Sequence, residues 1–327
     1  MKYISLPDDS QHRLSFYLAM EEYVARTLQE PDCFFIWQVE PSVIFGRNQL
    51  IENEVNVDYC RRHGIEMYRR KSGGGCVYAD RSNLMFSYIT SAEATGFVFY
   101  RYINMVLLVL RELGVDATTS GRNDILIGGK KVSGNAFYHL PGRSVVHGTM
   151  LYDTDMDHML SAITPPTEKL ESKGVESVRQ HITLLKDHLS IGIDAFRQFV
   201  RERLCKGELC LTADDVNRIE SLEQEYLSDA FIYGNNPKYT LKHNHRIEGV
   251  GSFEVRMELK NQVIRDVNLL GDYFLTGDLS SLLTPLKGVR LEREALEQVV
   301  PQTVGNVILH LEREDFIGLL MGEESEQ

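Results

Sequence analysis

The chain is short of the features that mark several large protein classes. Its five cysteines, Cys33, Cys60, Cys76, Cys205 and Cys210, are odd in number and scattered. None has the CxxC spacing of a zinc ribbon or a dithiol centre, so they read as reduced thiols, and metal held through sulfur is not expected. No helical stretch carries an apolar run near the roughly 20 residues that span a bilayer. The longest is MVLLVL at 105–110. The opening MKYISLPDDSQHRLSF lacks the apolar core of a secretory signal. A basic excess is missing too. Lys and Arg number 35 against 47 Asp and Glu, a net charge of -12, which argues against nucleic acid as the main partner but leaves room for a local basic cluster around one phosphate or carboxylate. These absences lead to the expectation of a cytoplasmic protein with no membrane span and no nucleic-acid partner.

What is present fits a globular chain. At 327 residues, 43% of them hydrophobic, it is about twice a typical domain, so two domains are expected. Leu14, Tyr17, Leu18, Val24, Ala25 and Leu28 recur at helical spacing, which predicts a helix over 14–29, and 97–113 reads as a second. Between and after them lie β-rich runs at 34–39, 42–46, 66–70, 84–89, 124–129 and 144–152, bounded by Gly, Asn and Pro. Because strands cluster and helices lie outside them, the expected fold is α+β with a mixed, largely antiparallel sheet and flanking helices. Helical periodicity returns at 195–205 and 214–229. After GNNPKY at 234–239 the texture changes to two alternating strands, about 247–258 and 262–269, followed by short helices. The domain boundary is expected near 240, giving domains at 1–240 and 241–327.

Three stretches carry chemistry. RRKSGGGCVY at 69–78 is neither GxxxxGK[ST] nor GxGxxG, so both familiar nucleotide loops are excluded. Three adjacent glycines permit left-handed φ and close approach of backbone N–H groups to a ligand, although a plain tight turn would look the same. Arg69 and Arg70 end a strand, where alternation points one guanidinium inward to a carboxylate and leaves the other solvated. GRNDILIGGKKVSGNAFYH at 121–139 reads as a β-hairpin turning at GG, with Asn123 and Asp124 on one limb and Lys130, Lys131, Ser133 and Asn135 on the other. Lysine beside carboxamide and carboxylate suits a triphosphate site with Mg²⁺, and an exposed polar hairpin is the alternative. VVHGT at 145–149 sets His147 in an apolar strand, where a hydrogen-bonded core histidine is the ordinary reading.

Taken together, RRKSGGGCVYADRSNLMFSYI, GRNDILIGGKKVSGNAF and VVHGTMLYD, in this order, resemble the lipoate-protein ligase family, with PSVIFGRNQLIENEVN upstream and YGNNPKY before the tail fitting as well. The resemblance implies a biotin/lipoate ligase-like catalytic domain with a small α+β accessory domain after it. It implies ATP as co-substrate, Mg²⁺, and two steps: free lipoate becomes lipoyl-AMP, and the lipoyl group passes to a lysine of an apo lipoyl domain. The acceptors are those of 2-oxoacid dehydrogenase complexes, the glycine cleavage carrier protein, or both, and the ligase is expected to be a monomer.

Carried over by motif, Lys131 bridges the lipoate carboxyl and the α-phosphate. Arg70 and Ser72 lie at the acyl end, and His147 borders the acyl pocket. Gly74, Gly75, Val77, Tyr78 and Asn83 surround the adenylate, while Asn123 and Asp124 lie by the phosphates, with Asp124 on the metal. Leu18, Ile44, Phe45 and Gly46 are candidates for the apolar acyl tunnel. The sequence departs from the family pattern at Ala79, Cys76, Ser82 and Phe231. Two other readings stand beside the ligase: an ATP-independent octanoyl or lipoyl transferase of the same fold, which needs a nucleophilic thiolate, and a non-catalytic protein that binds lipoate or adenylate.

Overall fold

A computed structural model describes residues 1–92, 95–121, 123–163, 180–234 and 236–323. Arg122 of the hairpin motif and Asn235 of the expected turn lie outside the described residues. The chain packs as two units. The first comprises Met1–Ile44, Glu52–Arg70 and Cys76–Ile232, and the second Phe45–Ile51, Lys71–Gly75 and Tyr233–Gln327.

Ten strands of the first unit run in chain order: β1 (Lys2–Ser5), β2 (Cys33–Trp37), β3 (Ser42–Phe45), β4 (Glu66–Arg69), β5 (Val77–Ala79), β6 (Leu84–Ser91), β7 (Ala117–Thr119), β8 (Asp124–Ile127), β9 (Lys130–Leu140) and β10 (Arg143–Met150), with β11 (Glu208–Cys210) added late. Eight form one sheet in the order β11-β1-β2-β6-β10-β9-β8-β7, and a second sheet runs β4-β3-β5. In the large sheet only β1 pairs in parallel, with β11 and β2. The other pairings are antiparallel, so the sheet is mixed and largely antiparallel as the clustered strands predict. β1, β5, β7 and β11, each of three or four residues, went unread in the sequence.

Helix α1 (Leu14–Thr27) buries Leu14, Leu18, Ala19, Val24 and Ala25 against Phe35, Trp37, Ile44, Ile89 and Val145. Helix α2 (Thr95–Glu112) is the second expected helix. α3 (Ile193–Leu204) and α4 (Ala213–Leu227) follow, and α4 begins at a capping box in which Thr212 and Asp215 satisfy each other's backbone N–H.

The second unit holds a meander of β12 (Leu241–Ile247), β13 (Gly251–Lys260) and β14 (Val263–Gly271) over a core that includes Phe253, Val255, Met257, Val267, Leu269, Leu296 and Phe316. Three strands replace the two expected. β12 escaped because LKHNHRI alternates only between half-buried and exposed positions and offers no apolar face to read.

Candidate functional site

The hairpin of β8 and β9 turns at Gly128 and Gly129, with φ of 56° and 76°, the paired left-handed geometry of a two-residue hairpin loop. Its register then slips. Ile125 pairs with Ser133 and Leu126 with Lys131, so Val132 is the extra residue of a β-bulge. Side chains of Asp124, Leu126, Lys131 and Gly134 therefore share one face, although Lys131 and Gly134 would face opposite ways in a regular strand. Lys130 opposes Ile127 on the other face and is exposed.

The bulge places Lys131 Nζ 2.8 Å from Asp124 Oδ1. A Cβ on Gly134 would come within 2.9 Å of both Cε and Nζ of Lys131, so the glycine makes room for the ammonium. Thr183 N donates to Lys131 O at 2.9 Å and steadies the backbone. The pair is half-buried, and such pairs contribute about 0–1 kcal/mol to stability. Stability alone does not account for it.

Asn123 does not stand free beside Asp124. Its Nδ2 donates to Asn135 O at 3.0 Å, and Asn135 Nδ2 donates back to Asn123 O at 2.9 Å.

His147 lies on β10 with Nδ1 2.9 Å from Glu21 Oε2. Ser87 Oγ donates to Glu21 Oε1 at 2.5 Å, and Trp37 Nε1 donates to Ser87 Oγ at 2.9 Å. Glu21 is fully buried, and its oxygens are satisfied there because partners from two strands converge on them. Its role was missed, though the signal was present: Glu21 shares the helical stripe of Leu14, Leu18 and Ala25. Leu18 and Ile44 pack with Trp37 in the same buried cluster, as does Ala79. A cleft of about 1030 Å³ is lined by Tyr17, Trp37 and Arg197 among others, and no residue assigned to the site by sequence lines it.

Both arginines of the first motif are buried, which corrects the expectation that one is solvated. Arg69 donates from Nη2 to Ile232 O at 2.8 Å and from Nε to Phe231 O at 2.9 Å, and burial pushes its pKa down to about 10. Those carbonyls end a helix, where free C=O groups attract a cation. Arg70 Nη1 donates to Ile44 O at 3.1 Å.

Val77 is half-buried on β5 and Tyr78 fully so. Asn83 Oδ1 accepts from Thr154 Oγ1. Asn83 Nδ2 and Tyr78 Oη are buried with no hydrogen-bond partner among the described residues.

In the second unit, the loops at 45–51 and 71–75 are built against the end of β14. Gly271 N donates to Asn48 O at 2.8 Å, Arg47 N to Ser72 O at 2.9 Å, and Gly74 N to Tyr273 O at 3.4 Å. Gly46 N donates to Gln49 Oε1 at 2.7 Å, and Ser72 is buried. The three glycines have three different reasons. A Cβ on Gly73 would sit 2.3 Å from Tyr273 O. Gly74 has φ of 86°. Gly75 needs neither, for its φ is not left-handed and a Cβ there meets nothing within 4 Å.

In the first unit, two buried polar atoms without a hydrogen-bond partner among the described residues, Asn83 Nδ2 and Tyr78 Oη, and an ammonium steadied by a carboxylate fit a nucleotide. They fit Mg²⁺ in a limited way. No cluster of three or more His, Cys, Asp or Glu able to hold a metal occurs among the described residues, but Mg²⁺ is commonly held by one or two carboxylates together with substrate phosphates and water, and Asp124 offers one. Four of the five thiols are unsuited to nucleophilic work. Desolvation, with Glu54 nearby, pushes the Cys76 thiol far above its ordinary range, and burial pushes Cys33, Cys60 and Cys205 up to about 11.

Comparison with known proteins agrees with this reading. The family model for the lipoyl protein ligase A/B catalytic domain matches residues 14–205, and that for the bacterial lipoate protein ligase C-terminus matches residues 236–320. The chain is similar to lipoate-protein ligase LplJ of Bacillus subtilis, at 34% identity over 93% of this chain and 95% of the relative. Among solved structures it resembles a lipoate-protein ligase A bound with ATP, with a TM-score of 0.62 and 25% identity over 71% of this chain and 98% of the other. It also resembles a bi-partite lipoate protein ligase from Thermoplasma acidophilum, described with its E2 lipoyl domain, with a TM-score of 0.65 and 28% identity over 73% of this chain and 98% of the other.

Proposed function

The chain belongs to the lipoate-protein ligase family, and from that premise we propose that it activates free lipoate with ATP to lipoyl-AMP and transfers the lipoyl group to a lysine of an apo lipoyl domain. The observation that carries the proposal is Lys131, bulged onto the face of Asp124 with its ammonium over Gly134. Attack of a carboxylate on an α-phosphate brings two anions together, and a preorganised cation where the charge accumulates is the largest help a protein can give. Lys131 supplies that cation, and Asp124 holds it in place and offers a carboxylate to Mg²⁺. When bound, Mg²⁺ would neutralise charge on the phosphate oxygens.

Arg70 and Ser72 are assigned to the acyl end and His147, Leu18, Ile44 and Gly46 to the acyl pocket. Gly74, Gly75, Val77, Tyr78 and Asn83 are assigned to the adenylate, and Asn123 to the phosphate side through the hold it gives Asp124. Support for the adenylate set comes from the open space at Gly75 and the unpartnered Asn83 Nδ2 and Tyr78 Oη. In the same reading the protein works as a monomer in the cytoplasm on lipoyl domains of 2-oxoacid dehydrogenases or the glycine cleavage carrier. No helix among the described residues is long and apolar enough to cross a membrane.

The raised Cys76 pKa weighs against the thiol-dependent transferase, because the thiolate is the nucleophile. Incubation with ATP and lipoate alone tests the proposal. Native mass spectrometry should find one lipoyl-adenylate per chain, and pyrophosphate should be released. An acyl mass that survives denaturation as a thioester would instead establish the transferase, and binding without pyrophosphate a non-catalytic protein.

A further inference from the structure

We propose that Asn135 is a positioning residue for the adenylation step, acting through Asn123 to hold the Asp124–Lys131 pair. The inference rests on the ligase reading above and deepens it. Asn135 stands on β9, buried at 3% exposure. Its backbone N and its Nδ2 both donate to Asn123 O, at 3.0 and 2.9 Å, and its own carbonyl accepts from Asn123 Nδ2 at 3.0 Å. Its Oδ1 accepts from Ser133 Oγ at 3.3 Å. The residue just before β8 is thus clasped to β9 by a reciprocal pair of carboxamides. Asp124 follows at once, opposite Gly134, so the clasp fixes the strand end from which the Asp124 carboxylate reaches Lys131.

The cost of this arrangement is visible one strand away. Gly148 on β10 is directly opposite Asn135. A Cβ at Gly148 would lie 1.9 Å from Asn135 Oδ1 and 2.8 Å from Tyr102 Oη. Gly148 has no left-handed φ, so its backbone does not require glycine. A glycine inside a central strand weakens the strand, and a buried carboxamide is costly unless it is hydrogen-bonded. An apolar residue at 135 opposite alanine would make a plainer and more stable sheet. The structure departs from that pattern within four residues of Lys131, and such departures concentrate at functional sites.

The closing experiment is a double-mutant cycle read by steady-state pyrophosphate release from ATP and lipoate, in the full chain with Asn135→Ala, Lys131→Ala and both. Asn135→Ala should lower kcat about tenfold or more, with the KM for lipoate within about threefold, since displacement by an ångström can cost as much as 10²-fold. The double variant should be no slower than Lys131→Ala alone, because residues acting as a unit are not additive. Additive losses, or Asn135→Ala within about twofold of the parent, would overturn the proposal. Should Asn135→Ala fail to fold, Asn123→Ala takes its place, since it removes the other half of the clasp, the Nδ2 donor to Asn135 O, at a half-buried position. It should lower kcat while the KM for lipoate stays level, and a kcat within about twofold of the parent would also overturn the proposal. A parent chain that releases no pyrophosphate brings down the ligase reading itself, which separates the two failures.

Discussion

Lys131 Nζ lies 2.8 Å from Asp124 Oδ1 although three strand positions and a bulge separate Lys131 from Gly134, the residue directly opposite that carboxylate. The extra residue, Val132, is what turns the ammonium onto the carboxylate's face, and Lys130 is left on the other. If charge shared between lipoate and the α-phosphate is stabilised by this ammonium, Lys131→Ala should lower adenylation by about 10²-fold to 10³-fold, or roughly 3–4 kcal/mol. Lys130→Ala should cost little. Pyrophosphate release for both variants, with circular dichroism to confirm the fold, checks the contrast. Equal losses would remove Lys131 from its assigned role.

Gly73 and Gly75 should separate folding from binding. Gly73→Ala drives a methyl toward Tyr273 O at 2.3 Å, and such overpacking costs about 1–3 kcal/mol, readable in denaturant melts. Gly75→Ala meets no protein atom within 4 Å, so its melt should match the parent's. Its KM for ATP should rise about tenfold, equal to ~1.4 kcal/mol of lost binding. An unchanged KM would mean that no adenylate approaches Gly75.

Glu21→Ala should be the most destabilising of the changes considered. It strands the buried Nδ1 of His147 and the Ser87 hydroxyl, a loss of about 2–5 kcal/mol. Thermal melting should show a drop of several degrees, and Glu21→Gln, which keeps one acceptor oxygen, a smaller one. A melt unchanged in Glu21→Ala would mean that water or a rearranged partner replaces the carboxylate.

Cys76 should be chemically quiet. Desolvation first, and Glu54 second, hold its thiol neutral well beyond neutral pH, so the folded protein should alkylate slowly at this position at pH 8. Cys76→Ser should keep adenylation within about threefold, since the ligase chemistry has no nucleophilic thiol. Rapid alkylation coupled to loss of pyrophosphate release would contradict both statements.

The hairpin was readable because its turn needs φ > 0 at two consecutive residues, and GG at 128–129 announces that need in one dimension. The helix over 14–27 was readable from its stripe, but Glu21 within the stripe was not understood, because its donors come from strands 66 and 126 residues later in the chain. The glycines divide in the same way. Gly74 is explained locally by its φ, whereas Gly73, Gly134 and Gly148 are explained by Tyr273, Lys131 and Asn135, whose proximity only the folded chain creates. The arginine pair at 69–70 was misjudged for a related reason. Alternation tells which face a side chain takes and is silent about a helix end waiting on that face.

The loops at 45–51 and 71–75 owe their shape to Gly271 and Tyr273, which are made much later. During synthesis at the usual 5–20 residues per second, Asn48 waits roughly 10–45 s for its partner. A nascent chain that has already completed β1 to β10 therefore still has its glycine loop without the backbone partner that seats it. Ribosome-bound intermediates should be folded in their large sheet yet silent as ligases until Gly271 and Tyr273 have emerged.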